Sequence, residues 1–400
     1  MKPSSLSTRK SWVRFGERGN IKKKRFLILS PFPLTLYPAK GTWQTTTLSI
    51  LISVSLLLIA TNWVDNNIDE TRTVAKAGEI PTDCLTVGRI IEIEGKVQLK
   101  RKEWPDYHST LVGTELCLGD LLQPALKAKV IVQCTDPNQN LWTVPNGMPS
   151  GAALGCRPPD KPIYTITGPI TPSRDPIARR IPHIISPKNT WLLSDKPKLR
   201  WIAVPDATSY VVRISGSGVN WETEVSTTEV VYPGKPSLKP VEGGYLLTVE
   251  ADNGESSAKA TFGLLDANQA NFVKVATERI ATENLTGDAK TLAQAELYIG
   301  QGLIAEATET LEASTAKDSQ TPAIYYILGD LYAQVQLLPQ AEASYLKAMK
   351  LATIVNDQEG QAVVATRLAQ VYKALGNSAK ADTWLKSAQD KYQTLEPISH

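Results

Sequence analysis

From residue 86 onward, apolar and polar positions alternate along the chain. Ile91, Ile93, Val97 and Leu99 recur at period two around Glu94 and Gly95. That pattern predicts two strands joined by a hairpin turn. Leu116–Leu122 and Ala128–Cys134 continue it, so residues 86–156 are expected to form a small all-β unit. A second alternating region covers 187–263, with strands at Leu199–Trp201, Ser209–Ile214 and Gly244–Val249. Turn residues separate them at intervals of roughly ten, which predicts an antiparallel sandwich. After Leu265 the period becomes that of alanine-rich helices, over 266–394. Ahead of all this, Leu48–Ala60 is almost purely apolar, and no charged residue falls between Gly41 and Val64. A run of that kind predicts a transmembrane helix at 46–64, with Trp43 and Trp63 near its ends.

Charge gives that helix a direction. Residues 1–45 carry ten Lys or Arg against one acid, Glu17, so a whole-chain net charge of +3 leaves the other 355 residues at −6. The basic pI thus describes a tail and gives no reason to expect a nucleic-acid partner. By the positive-inside rule the tail is cytoplasmic, and 65–400 lie beyond the membrane, first as a polar linker at 65–85. The expected protein is single-pass in a bacterial inner (cytoplasmic) membrane, with a lipid bilayer as one partner through 46–64. The competing reading, a cleaved signal peptide, needs a shorter basic region than this one.

The four cysteines, Cys84, Cys117, Cys134 and Cys156, fall within one stretch of 73 residues. No Cys-x-x-Cys occurs and no histidine stands at a zinc-ligand spacing, so neither metal nor cofactor is expected. Beyond the membrane they are candidates for two disulfides, with three pairings open.

The run Gly88–Arg101 reads GxIxExEGxVxLxR, and Gly113–Leu122 reads GxxLxxGDLL. With the following strand, these resemble the FecR domain, a periplasmic β module whose signalling members place it after one membrane helix and a cytoplasmic tail. Seven prolines between 157 and 186 mark an extended linker. In the sandwich, Trp201, Tyr210, Leu238 and Tyr245 resemble the core series of fibronectin type III or related immunoglobulin-like domains, which commonly act as spacers or adhesion modules.

The helical region repeats internally. From Pro322, Tyr325, Leu328, Gly329, Tyr332, Ala341, Tyr345 and Ala348 occupy positions 4, 7, 8, 11, 20, 24 and 27. A copy forty residues on carries Ala365, Leu368, Ala369, Tyr372, Ala381, Leu385 and Ala388. A weaker copy has Ala295, Tyr298, Ala307, Leu311 and Ser314, and departs at Thr291 and Gln294. This series resembles the tetratricopeptide (TPR) signature, in which small residues let paired helices approach and aromatics fill the space between hairpins. The resemblance implies a stack of about three hairpins, with 268–285 as a capping helix. It also implies an inner face that holds a protein or peptide partner, here Glu296, Tyr326, Asp330, Gln334, Thr366, Gln370 and Lys373. That set lacks a concentration of cations, so an anionic ligand is not favoured.

The fold class is therefore multidomain: a transmembrane helix, two all-β domains and an all-α solenoid. Three histidines, His108, His183 and His400, lie in no catalytic setting, and no phosphate-binding glycine motif occurs. No enzyme is expected. The leading expectation is a membrane-anchored envelope scaffold or adaptor binding a partner through its repeats. The alternatives are a FecR-like transmembrane signal transducer acting on a cytoplasmic regulator, and cell-wall glycan binding through the β domains.

Overall fold

The computed structural model describes residues 84–102, 104–158, 170 and 180–395. Thr86–Glu94 (β1), Val97–Lys100 (β2), His108–Ser109 (β3), Glu115–Cys117 (β4), Leu121–Pro124 (β5), Lys129–Cys134 (β6), Leu141–Thr143 (β7) and Ser150–Gly151 (β8) build the first β unit, closed by the short helix α1 (Ala152–Gly155). Its two four-stranded sheets run β4-β1-β6-β7 and β3-β2-β5-β8. The turn expected at Glu94-Gly95 is present, with Gly95 at φ 88°, a conformation that glycine alone adopts cheaply. The expected hairpin is not: β1 and β2 enter different sheets, so the turn carries the chain from one layer to the other. Alternation marks a buried face but does not say which strand lies alongside. Val87, Ile90, Leu99, Leu116, Leu122, Val130 and Val132 fill the space between the layers. Disulfides join Cys84 to Cys117 and Cys134 to Cys156.

The second β unit holds His183–Ser186 (β9), Thr190–Leu192 (β10), Lys198–Ile202 (β11), Tyr210–Gly216 (β12), Val219–Val225 (β13), Glu229–Val231 (β14), Tyr245–Ala251 (β15) and Ala258–Leu264 (β16). It begins within the stretch expected to be linker. Sheets of order β10-β16-β15-β12-β13 and β14-β11-β9 face one another. Trp201, Tyr210, Leu238 and Tyr245 all lie in the core between them.

Seven longer helices follow: α2 (Ala267–Thr282), α3 (Gly287–Gly300), α4 (Ile304–Thr315), α5 (Pro322–Gln334), α6 (Leu338–Ile354), α7 (Gln358–Ala374) and α8 (Ser378–Leu395). Asp266 and Gln269 form a reciprocal capping box that starts α2, and Pro322 opens α5 where a missing N–H costs nothing. The pairs α3/α4, α5/α6 and α7/α8 are three antiparallel hairpins, with α2 packed before them. Gly329 shows why position 8 must be small: a Cβ there would stand 2.6 Å from the Tyr345 ring. The six extra residues between the two best copies lengthen helices, since α6 and α7 have 17 residues each against 12 and 13 in α4 and α5.

The expected membrane span at 46–64 lies outside the described residues, as do the basic tail and most of both linkers. Among the described residues no helix is long and apolar enough to cross a membrane. The longest, α8, carries five charged side chains in 18 residues. The single-pass fold class is therefore corrected to a β-rich part followed by an all-α part. Localisation in an inner membrane, which rested on that span, is withdrawn with it.

Candidate functional site

The first helices of the three hairpins, α3, α5 and α7, present the inner face, and the first β unit packs against it. β1 is buried on both sides for this reason. Val87 and Ile90 enter the β core, while Ile91 and Ile131 join the core of the repeats. Gly113 sits directly on Ala323, so closely that a Cβ on Gly113 would be 2.3 Å from that of Ala323. In the other direction, Leu395 at the end of α8 inserts into the β core.

Charged groups cross the same joint. Arg89 Nε lies 2.6 Å from Glu296 Oε1, and the guanidinium also bonds Glu115. Burial works against the Arg89 charge, yet Glu296 and Glu115 outweigh it and hold the group above its ordinary range. Arg101 bonds Asp120 at 2.8 Å and pairs with Glu359 of α7, its Nε donating at 3.1 Å. Thr286 N–H donates to Glu92, Lys129 to the Asn284 carbonyl, and Arg279 to the carbonyls of Asn138 and Gln139. Each guanidinium of the β unit also lies over an aromatic ring: Arg89 over Tyr326 at 6.0 Å and Arg101 over Trp104 at 5.4 Å.

Between the β unit and the repeats a cavity of about 400 Å³ remains. Arg89, Arg101, Trp104 and Glu115 line it from one side, and Tyr326, Asp357, Glu359, Val363, Arg367 and Tyr392 from the other. Cys84, Thr114, Pro322 and Glu359 are half-exposed at its edge. Behind the wall Arg367 pairs with Asp330 at 3.2 Å, both almost fully buried, and Tyr345 Oη donates to Asp330 at 2.5 Å. Burial pushes the Asp330 and Glu296 carboxyls upward despite their arginine partners. Asp357 caps α7 by accepting the Gly360 N–H at 2.8 Å, and burial raises its carboxyl to about 6. Among the described residues no His, Cys, Asp and Glu cluster is placed to hold a metal.

The second β unit meets the repeats elsewhere, at the turns between helices. Trp191 N–H donates to the Gly302 carbonyl at 3.0 Å, and Thr190 Oγ1 accepts the Ile304 N–H at 2.9 Å. Lys188 donates to the Val335 carbonyl at 2.8 Å, and Arg200 pairs with Glu312, which also accepts from Tyr332. The space left there is about 10 Å³, room for about one water at most.

The residues singled out in the repeats distribute unevenly. Tyr325, Leu328, Ala341, Tyr345, Ala348, Leu368, Ala369, Tyr372, Ala381 and Ala388 are buried. Tyr332 is half-buried, and Leu385 is 38% exposed on the outer side of the last helix. Of the inner-face candidates, Glu296 and Tyr326 meet the β unit, and only Tyr326 lines the cavity. Asp330 and Thr366 are buried, Thr366 Oγ1 donating to the Ala362 carbonyl. Gln370 accepts from Arg367, Gln334 is half-buried, and Lys373 is exposed near the end of α7. Sequence reasoning missed Arg89, Arg101, Glu115, Asp357, Glu359 and Arg367. Arg89 and Arg101 stand inside the FecR-like run, but nothing in that run says that a helix array covers it.

Residues 320–394 match the sequence model of the tetratricopeptide repeat family. The C-terminal region is thus a tetratricopeptide repeat region, a kind of module that commonly mediates protein–protein interaction. Solved structures similar to the chain include those described as "Crystal structure of MamA" (17% identity, 32% of this chain and 90% of that one, TM-score 0.20) and "Crystal structure of BtubC (BKLC) from P. vanneervenii" (17% identity, 32% and 74%, TM-score 0.19). No curated protein matches the chain.

Proposed function

We propose that this chain is a non-enzymatic scaffold or adaptor that binds a protein or peptide segment in the cavity between its first β unit and its repeats. The cavity itself carries this reading. A tetratricopeptide inner face is ordinarily open along its length, whereas here the β unit packs against it and a cavity remains between the two. The cavity is of ligand-site size, since such sites run to about 300–1,000 Å³. The resemblances of the β units to FecR and fibronectin type III domains are part of this reading. In the second unit, Tyr245 Oη bonds both the N–H and the carbonyl of Lys239, six residues upstream, like the tyrosine corner of immunoglobulin-like sandwiches. In this reading the second unit is a brace for the array.

Photo-crosslinking of the full chain tests the proposal. A benzophenone side chain at Val363, in the cavity, should yield discrete protein adducts in cells, and one at Leu346, exposed on α6, should not. Adducts at 346 with none at 363 would remove the cavity from the function.

A further inference from the structure

We propose that the cavity between the first β unit and the repeats receives a positively charged side chain, the guanidinium of arginine or the ammonium of lysine, projecting from an extended segment of the partner. The inference rests on the adaptor reading and names the chemistry it selects.

Three observations converge on it. First, the charges do not balance. Arg89, Arg101 and Arg367 line the cavity with Glu115, Asp357 and Glu359, and the arginines' further partners are Glu296, Asp120 and Asp330. Carboxylates therefore outnumber guanidinium groups by three, and an anionic ligand would meet a surplus of its own sign. Second, one lining carboxylate has no cation. Among the described residues no salt bridge reaches Asp357, whose recorded hydrogen bond is to the Gly360 N–H. Third, the walls already hold guanidinium groups. Arg89 and Arg101 of the β unit each lie over an aromatic ring and pair with a carboxylate of the repeats. Tyr392, also on the wall, offers a further ring.

The rest of the segment has complementary surfaces. Val112, Ala323, Val363 and Val364 supply an apolar floor. The other charged and titratable groups facing the cavity are Arg89, Arg101 and Glu115 from the β unit, Tyr326 from α5, Glu359 and Arg367 from α7, and Tyr392 from α8, and of these Glu359 is the charge that bears on Asp357. A cation bound there favours the ionised carboxylate, so binding weakens as pH falls through about 6.

Calorimetry on the full chain tests this with three pentapeptides blocked at both ends, carrying arginine, citrulline or glutamate at the centre. Citrulline keeps the shape of arginine and removes its charge. The arginine peptide should bind about ten-fold tighter than the citrulline peptide, as a charge-assisted pair requires, and the glutamate peptide weakest. Asp357→Asn keeps the helix cap, so it should fold normally, lower affinity for the arginine peptide and leave the citrulline peptide unchanged. Equal binding of arginine and citrulline, or preference for glutamate, overturns the proposal. No binding by any peptide, with crosslinks at 363 still formed, sinks the cation while the adaptor reading stands. Arginine-selective binding without crosslinks leaves a cation site and removes the protein partner.

Discussion

The repeats meet two β units, and they meet them by different chemistry. At the joint with the first unit, buried guanidinium groups cross to carboxylates and a cavity remains. At the joint with the second, the charged pair Arg200–Glu312 is half-exposed, most other bonds have a backbone N–H or C=O at the helix turns as one partner, and almost no space is left. Bonds to backbone groups need close approach, so they make a closed seam. Long charged side chains reach across several ångströms, so beside the close contact of Gly113 with Ala323 they leave a place for a third component. The difference assigns bracing to one joint and recognition to the other.

The comparison can be broken by removing its parts in turn. The largest effect is expected from Arg89→Ala, which strands the buried Glu296 carboxylate. It should cost about 3 kcal/mol in urea unfolding of the full chain, at the lower end for a broken buried pair. A loss below 1 kcal/mol would mean that the first joint does not depend on its charges. Next, Thr190→Val removes the acceptor of the Ile304 N–H at the second joint, and a buried donor left unpaired costs about 1–2 kcal/mol by the same measurement. Arg200→Ala should cost under about 1 kcal/mol, because the Arg200–Glu312 pair keeps about a quarter of each side chain in water. If Arg200→Ala proved costlier than Arg89→Ala, the contrast between the joints would be reversed.

The smallest effect is in pH dependence. Glu306 accepts the Leu193 N–H at the second joint, and burial raises its carboxyl from 4.5 to about 7. A carboxyl raised on folding favours the native state when protonated. Its contribution is complete below about 4.5 and lost as pH rises through 7. Stability measured from pH 4.5 to 8 should therefore fall more steeply in the wild type than in Glu306→Gln. Superimposable profiles would show that Glu306 does not titrate in this window.

The repeat positions were legible because their constraint is local. Gly329 and Tyr345 are sixteen residues apart and pack within one hairpin, so the requirement for a small residue beside a ring is written in the spacing. The sandwich core was legible for the same reason, as alternation places Trp201, Tyr210 and Tyr245 inward. The pairing of β1 was not, since a period of two says which face is buried and not which strand is the neighbour. Nor was the cavity, whose walls include residues as far apart as Arg101 and Glu359.

By itself the sequence determined two alternating β regions, a change of period after Leu265 and the spacing of a helical repeat. Each of these is a pattern of burial within one element or between consecutive ones, which hydrophobic periodicity records. Only the tertiary structure decided that the inner face of the repeats is packed against the chain's own β unit, and that carboxylates from two helices, Glu296 and Glu359, meet Arg89 of β1 and Arg101 just after β2. Those contacts are set by how whole surfaces dock, and a charged side chain reads the same in sequence whether it ends in water or in a buried pair.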